Sequence, residues 1–423
     1  MIDPQDLRQR PDAYKDAVKK KRLKVSVDEW LKTDEARRDL LKLVEDMRAE
    51  KNSVSKRVPG MKGTEKETAV RDMKALSEKL KRHEGDLTAT EVAWQSLLDR
   101  MPGIPLPQVP VGKDDTENRE IRKWGKLPQF AFEPKDHVAL GEELDIIDIS
   151  RGVKIAGART YFLKGDGVRL ELAVLLFTLD TLMKKGYTPL LPPLLVHHAA
   201  MYGTSYFPGG EEQAYKIEED KLFLIGTSEV SVTSYHMDET LKSADLPKRY
   251  CGISPCFRRE AGTYGKDTKG LYRIHQFKKV EQVILCNNDP AESAKMHAEI
   301  LGNAEEVIQA LELPYRVVDV CTGDMGQGQI YKNDIETWMP SRKGYGETHS
   351  CSTFHDFQSR RLNMKYEDAN GSKQFVHTLN NTCIASPRIL IPILECYQRA
   401  DGSVAIPKVL QPYMGGQEVI ARR

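Results

Sequence analysis

Two stretches of this chain gather the residue types that handle charged ligands. In the first, Phe257-Arg258-Arg259-Glu260 closes one apolar run, and Arg273-Ile274-His275-Gln276-Phe277-Lys278-Lys279-Val280-Glu281 opens the next. Period-two alternation would set Arg273, His275, Phe277, Lys279 and Glu281 on one face of a strand. Two cations, an imidazole, an aromatic ring and a carboxylate do not make an ordinary core, so this face either lies open to solvent or lines a site. In the second stretch, Thr378 to Arg388 leads into the apolar run Ile389 to Tyr397. This predicts a strand passing into a helix, with Pro387 in the first turn, where a missing N–H costs little. An arginine at that helix start is electrostatically odd, because helix N-termini favour anions, so Arg388 is expected to be aimed at a ligand.

The common nucleotide-binding loops are absent. Gly262-Thr-Tyr-Gly265-Lys266-Asp267 has the wrong spacing for a phosphate loop and an Asp where a magnesium-binding hydroxyl belongs, and Gly323-Asp-Met-Gly326-Gln-Gly328 fails as a dinucleotide fingerprint. His349, Cys351, His355, His197 and His198 match no familiar zinc spacing, so no zinc is expected. The chain has 7 cysteines, an odd number, and no CxxC pair, which suits reduced, mostly buried thiols.

Several elements must position these stretches. The sequence from Phe257 to Glu281 reads as strand, Gly/Thr/Lys-rich loop, strand, an antiparallel hairpin. Further β-rich runs at Tyr250 to Arg258, Tyr272 to Cys286 and Tyr315 to Val320 mix with helical runs at Leu170 to Lys185 and Pro290 to Leu311. Together they give an α+β domain on an antiparallel sheet. Ahead of it, Leu40, Val44, Met47, Lys51, Val54 and Val58 form one helical seam. After Pro59, Gly60 and Gly63, the seam restarts as Ala69, Met73, Leu76, Leu80, His83, Leu87, Thr90, Trp94 and Leu97. Two charge-rich helices with one apolar stripe each can bury those stripes only against one another, so an antiparallel coiled-coil hairpin is expected, with its tip near Pro59 to Thr64. The proline-rich segment Met101 to Pro110 sets the boundary between an N-terminal helical arm, 1–103, and this α+β domain, 104–423.

Net charge is +1, so any polyanion surface must be local. The outer half of the hairpin supplies one. Lys51, Lys56, Arg57, Lys62, Lys66, Arg71, Lys74, Lys79, Lys81 and Arg82 outnumber Glu65, Glu67, Asp72, Glu78 and Glu84 there. A solvated helix surface would also read this way. On a protruding arm, however, the excess could contact phosphates without reading bases. No apolar run approaches the roughly 20 residues of a membrane span, and the N-terminus resembles neither a secretory nor a transit peptide, so a cytoplasmic location and no membrane partner are expected.

With these segments in place the chain resembles the class II aminoacyl-tRNA synthetases, and among them the seryl enzymes over essentially its whole length. Phe257 to Glu281 resembles the second class II signature, the segment opened by Arg388 the third, and Gly186 to Pro193 the first, a dimer-interface element. Thr227-Ser-Glu229, Cys321 to Gly326, and Glu347 to Ser352 followed by Asp356 to Arg361 narrow the likeness to serine. The resemblance implies an antiparallel-sheet catalytic domain that activates L-serine with ATP as seryl-adenylate and transfers it to the 3′ end of tRNA(Ser), with tRNA(Sec) as a further candidate.

It also implies roles. Arg258 would hold the α-phosphate and the serine carboxylate. Phe277 and Arg388 would sandwich adenine, Glu260 would contact its amino group, and Arg273 would face the outer phosphates. Glu347 and Ser350 would hold Mg2+. Glu229 would take the ammonium of serine and Glu281 its hydroxyl, with Thr227, Asn380 and Thr382 completing the pocket. Lys51, Lys56, Arg57, Lys62, Arg71 and Lys74 would contact tRNA, and the enzyme would be a homodimer. Arg259, His349 and Asn381 depart from the pattern, where smaller residues are usual. Two other readings remain open at this point: a non-catalytic tRNA-binding paralogue, and a pathway-dedicated or resistance variant.

Overall fold

The computed structural model describes residues 1–262 and 270–422 and divides the chain into two compact units, Met1–Pro102 and Gly103–Arg423.

In the first unit, two short helices precede α1 (Val27–Arg57). A single 3-10 turn (Val58–Gly60) separates α1 from α2 (Gly63–Leu98). Ser26 starts α1 by accepting from the Glu29 amide, and Pro59 and Gly60 stop it. The apolar seam is built as its spacing predicts. Val44, Leu80 and Leu87 are buried together, with Leu40, Leu41 and Met47 packed on them. Arg37–Glu91 (3.0 Å) and Arg48–Glu84 (2.7 Å) flank the seam. At its base the buried Asp34 accepts from Trp94 Nε1 (2.9 Å) and from Arg8 and Arg38. Beyond Val44 and Leu80 the seam is only half-buried, and Val70 is exposed. Lys56, Arg57, Lys62, Arg71 and Lys74 are exposed there and Lys51 half-exposed. Arg71 has Asp72 at 3.7 Å, and the other five form no ion pair among the described residues.

The second unit is organised by an eight-stranded sheet. Its strands are β1 (Arg119–Trp124), β2 (Thr188–Leu190), β3 (Lys248–Phe257), β4 (Gln276–Cys286), β5 (Tyr315–Asp319), β6 (Tyr331–Met339), β7 (Gly344–His355) and β8 (His377–Ser386). Their spatial order is β1-β5-β6-β7-β8-β4-β3-β2. Every pairing is antiparallel except the last, where Thr188 to Leu190 runs parallel to β3. One face of the sheet is apolar. Val280 and Ile284 of β4, Leu379 and Cys383 of β8, and Ile335 of β6 pack with helices α3 (Asp166–Lys184) and α4 (Pro290–Ala310) in one continuous core. The opposite face is available for a site.

Two local expectations need correction. The strand expected from Tyr272 begins at Gln276, so Arg273 and His275 precede the ladder. The connecting loop at 263–269 lies outside the described residues. The helix expected to open at Pro387 is α5 (Leu390–Cys396), with Ile389 as its N-cap. Pro387 and Arg388 therefore stand before the helix, and Pro392 is the proline inside its first turn. Helix polarity consequently gives no reason for Arg388 to point at a ligand. All seven cysteines are free thiols, six of them buried and Cys396 half-buried. No described helix is long and apolar enough to cross a membrane.

Candidate active site

On the polar face of the sheet lies a cavity of about 340 Å³. Arg258, Glu260, Arg273 and Phe277 line it from β3, β4 and the residues just outside them, and Lys279 and Glu281 continue along β4. Glu229 enters from the first residue of a short helix (Glu229–Thr233) and Thr227 from just before it, Glu347 and Ser350 from β7, and Asn380, Thr382 and Arg388 from β8 and the turn after it. Every side chain that the sequence assigned to serine, ATP or metal therefore faces one space. His275 does not. Its ring nitrogen lies 3.0 Å from the Arg258 carbonyl and its edge meets Tyr215, because alternation does not hold before Gln276.

Two irregularities of the sheet make this convergence possible. Between Val280 and Glu281 the register on β8 jumps from Ile384 to Thr382, so Cys383 is the extra residue of a bulge. Lys279 then pairs with Ala385 and Glu281 with Thr382, and all four side chains share the cavity face, although Thr382 and Ala385 are an odd three positions apart. The second bulge is at Thr348. Ser350 pairs with Asp334, His349 with Ile335, and Glu347 with Glu336, which puts Glu347 and Ser350 on the same side at an odd spacing. Regular alternation would have sent one of each pair into the apolar core.

The deep end of the cavity is a network of buried groups. Glu281, fully buried, accepts from Asn380 Nδ2 (2.9 Å) and Thr382 Oγ1 (3.2 Å) and forms an ion pair with Lys279 (2.5 Å). Glu229 accepts from Gln358 Nε2 (2.9 Å) and Asn380 Nδ2 (3.2 Å), and Thr227 Oγ1 receives the amide of Glu229 (3.2 Å). Burial, and next the neighbouring charge of Glu281, push the Glu229 carboxyl up to about 7. Asn380 Oδ1 is buried and accepts from no protein donor among the described residues. A neutral acceptor and a carboxylate of raised pKa, side by side and desolvated, make a receptor for a small cation such as an ammonium.

Toward the mouth the charges change sign. Arg258 donates to the Gly226 carbonyl (3.2 Å), and its guanidinium lies 5.2 Å from the centre of the Phe277 ring. Arg273 donates to Glu260 (3.2 Å). Arg388 lies over the Tyr272 ring at 4.4 Å and donates to the carbonyls of Tyr272 (3.1 Å) and Glu347 (3.0 Å). Burial would raise the Glu347 carboxyl, but Arg388, Lys332, Arg258 and Arg273 outweigh it and hold the group below the usual carboxylate range. An ionised Glu347 beside the Ser350 hydroxyl supplies the hard oxygen donors that a magnesium ion accepts.

The three unusual residues are accounted for by their surroundings. Arg259 is exposed and outside the cavity lining. Asn381 points to the helix side, where its Nδ2 donates to the Ile300 carbonyl of α4 (2.7 Å). His349 is buried between Thr348 Oγ1 (2.8 Å) and the Cys383 carbonyl (3.0 Å), and burial lowers its pKa to about 3, so the ring is neutral. Among the described residues no group of three or more His, Cys, Asp or Glu side chains converges as a metal cage.

Residues 1–105 match the seryl-tRNA synthetase N-terminal domain, and residues 214–397 match the tRNA synthetase class II core domain shared by enzymes for G, H, P, S and T. A serine--tRNA ligase of Deinococcus radiodurans is 46% identical over 425 residues, covering 100% of this chain and 99% of the relative. The chain belongs to the seryl-tRNA synthetase family. Its fold agrees with solved members. The seryl-tRNA synthetase of Pyrococcus horikoshii, crystallised with ATP, superposes with a TM-score of 0.92 at 38% identity over 100% of both chains. The cytoplasmic serine-tRNA ligase of Naegleria fowleri, in complex with AMP, does so at 0.86 and 31% identity, covering 98% of this chain and 96% of that one. As in that family, an N-terminal helical hairpin is joined to a sheet that is antiparallel apart from one edge strand.

Sequence reasoning gives no role to several lining residues, among them Tyr206, Lys279, Gln329 and Lys332. Alternation puts Lys279 on the correct face of its strand but gives it no part in the site. Its position two residues before Glu281, the spacing of same-face neighbours, is the available signal.

Proposed function

We propose that this protein binds ATP and L-serine in the cavity, forms seryl-adenylate with release of pyrophosphate, and passes the seryl group to the 3′ end of tRNA(Ser). The observation that carries the reading is the division of one cavity into an acid-lined floor and an arginine-lined mouth. The floor suits an ammonium and a hydroxyl, and the mouth suits a triphosphate.

In the reaction a serine carboxylate oxygen bonds to the α-phosphorus of ATP as the bond from that phosphorus to the bridging oxygen breaks and pyrophosphate leaves. The carboxylate is already a competent nucleophile, so positioning and neutralisation of phosphate charge carry the catalysis. Arg258 would span the serine carboxylate and the α-phosphate, since a planar fork can serve both. Arg273 would face the outer phosphates and Glu260 the adenine amino group, with Phe277 and Arg388 bracketing the ring. Glu347 and Ser350 would hold Mg2+, which neutralises phosphate charge when bound. Glu229 would take the ammonium and Glu281 the hydroxyl, with Thr227, Asn380 and Thr382 around them. A buried carboxylate left without the substrate hydroxyl rejects alanine.

The basic outer half of the hairpin would hold the tRNA backbone through Lys51, Lys56, Arg57, Lys62, Arg71 and Lys74, with tRNA(Sec) a second candidate. A homodimer is supported by an apolar surface: Leu172, Leu176 and Met183 on α3 are each exposed by 45–48%, and Leu191 by 85%.

Exchange of labelled pyrophosphate into ATP, measured with each amino acid in turn, tests the activity. Serine should support it with a kcat/KM far above that of any other amino acid, and no exchange with serine would defeat the reading. A second measurement tests Glu229. A carboxylate that titrates near 7 is protonated below that pH and ionised above it, and an ammonium binds the ionised form. Protons and serine therefore compete. The KM for serine should rise about tenfold between pH 8 and pH 6, while the KM for ATP stays level. A level serine KM would remove Glu229 from the ammonium site.

A further inference from the structure

The floor of the cavity contains one more ionic group than the chemistry above uses. Lys279 is 5% exposed, with its Nζ 2.5 Å from Glu281 Oε2 and 3.3 Å from Thr382 Oγ1. A buried ammonium is expensive to desolvate, and an aliphatic residue would fill the same space at less cost, so its retention calls for a reason. The surroundings of Glu281 supply one. Oε1 accepts from Asn380 and Oε2 from both Lys279 and Thr382, which occupies about three of the four lone-pair directions that a carboxylate offers. The carboxylate is fixed from both ends and keeps roughly one direction for a ligand.

Other groups sense Glu281 through space: Glu229, Tyr206 and Cys256 on the cavity side, and Cys351 and Cys383 from β7 and β8. None of them is a cation. Arg258 lies near the same groups but is turned to the Gly226 carbonyl and the Phe277 ring. Among the described residues, Lys279 is the cation that holds Glu281.

We propose that Lys279 is a positioning residue for amino-acid selection. Its ion pair locks Glu281 so that the one remaining acceptor direction meets the hydroxyl of serine, which sets discrimination against amino acids that lack this hydroxyl. The proposal rests on the serine-activating function.

The test compares Lys279→Met, Lys279→Arg, Glu281→Gln and the double variant K279M/E281Q in pyrophosphate exchange with serine and with alanine. Loss of a charge-assisted hydrogen bond from a buried acceptor should raise the serine KM of K279M about 10- to 100-fold and lower its serine-over-alanine ratio of kcat/KM about tenfold. The ATP KM should stay within about twofold, and K279R should restore the ratio to within about threefold of wild type. Because Lys279 acts through Glu281, K279M added to E281Q should lower the ratio no further. Three results would overturn the proposal: an unchanged ratio in K279M, serine and ATP KM values that rise together, or effects of the two substitutions that multiply. Should K279M fail to fold, Lys279→Gln removes the same charge and is judged by the same ratio. A wild-type protein without serine-dependent exchange would instead defeat the parent function. An active wild type whose K279M and K279Q variants select serine normally would defeat this proposal alone.

Discussion

Arg258→Ala will lower serine-dependent pyrophosphate exchange by about a thousandfold or more, the largest effect expected of any single substitution in the cavity. Two anions, the serine carboxylate and the α-phosphate, must come within bonding distance in a partly desolvated space, and their repulsion opposes the approach. Arg258 is the guanidinium between the acid floor and the arginine mouth, held by the Gly226 carbonyl and the Phe277 ring. A planar fork there can donate to both anions at once and fix their relative orientation, which a point charge cannot do. Arg258→Lys should therefore recover less than about a tenth of the lost activity. Circular dichroism of the alanine variant provides the control for folding. A folded R258A protein that exchanges pyrophosphate at a wild-type rate would separate this arginine from the chemistry.

Replacing Lys56, Arg57, Lys62, Arg71 and Lys74 together with Gln should reduce kcat/KM for tRNA charging by about a hundredfold and leave pyrophosphate exchange within about twofold of wild type. These side chains are exposed on the outer half of a hairpin whose buried seam ends near Val44 and Leu80, so they contribute little to folding. Four of the five make no ion pair among the described residues, and the fifth, Arg71, meets only the exposed Asp72. Their charge is available to a polyanion. Each cation removed from the phosphate backbone should also flatten the dependence of log kcat/KM on log salt, by up to about one unit per residue. Charging that is unaffected, with an unchanged salt slope, would show that the arm does not hold tRNA through these residues.

Much of this is legible in the sequence, for reasons that differ by region. The hairpin seam can be read because a helix-pair interface follows local periodicity: Leu40, Val44 and Met47 must face Leu80 and Leu87 once two charged helices fold back on each other. Arg258, Glu260, Arg273, Phe277, Glu347 and Arg388 can be named because spaced strings of charged residues carry a family likeness. Helix polarity misleads at Arg388, since that residue precedes the helix. Alternation misplaces His275, because the strand begins only at Gln276.

Sequence alone determined which residue types were available and which faces of the two long helices had to be buried, because both follow from side-chain chemistry and a fixed helical repeat. Tertiary structure decided which of those residues share a cavity. Glu281 meets Thr382 beside Lys279 and Ala385, and Glu347 stands on the same side as Ser350, only because Cys383 and Thr348 bulge out of their ladders. A bulge is set by how a strand pairs with neighbours that are distant in the chain, Glu281 with Thr382 and Ile335 with His349, and such pairing leaves no local mark on the residues that it re-aims.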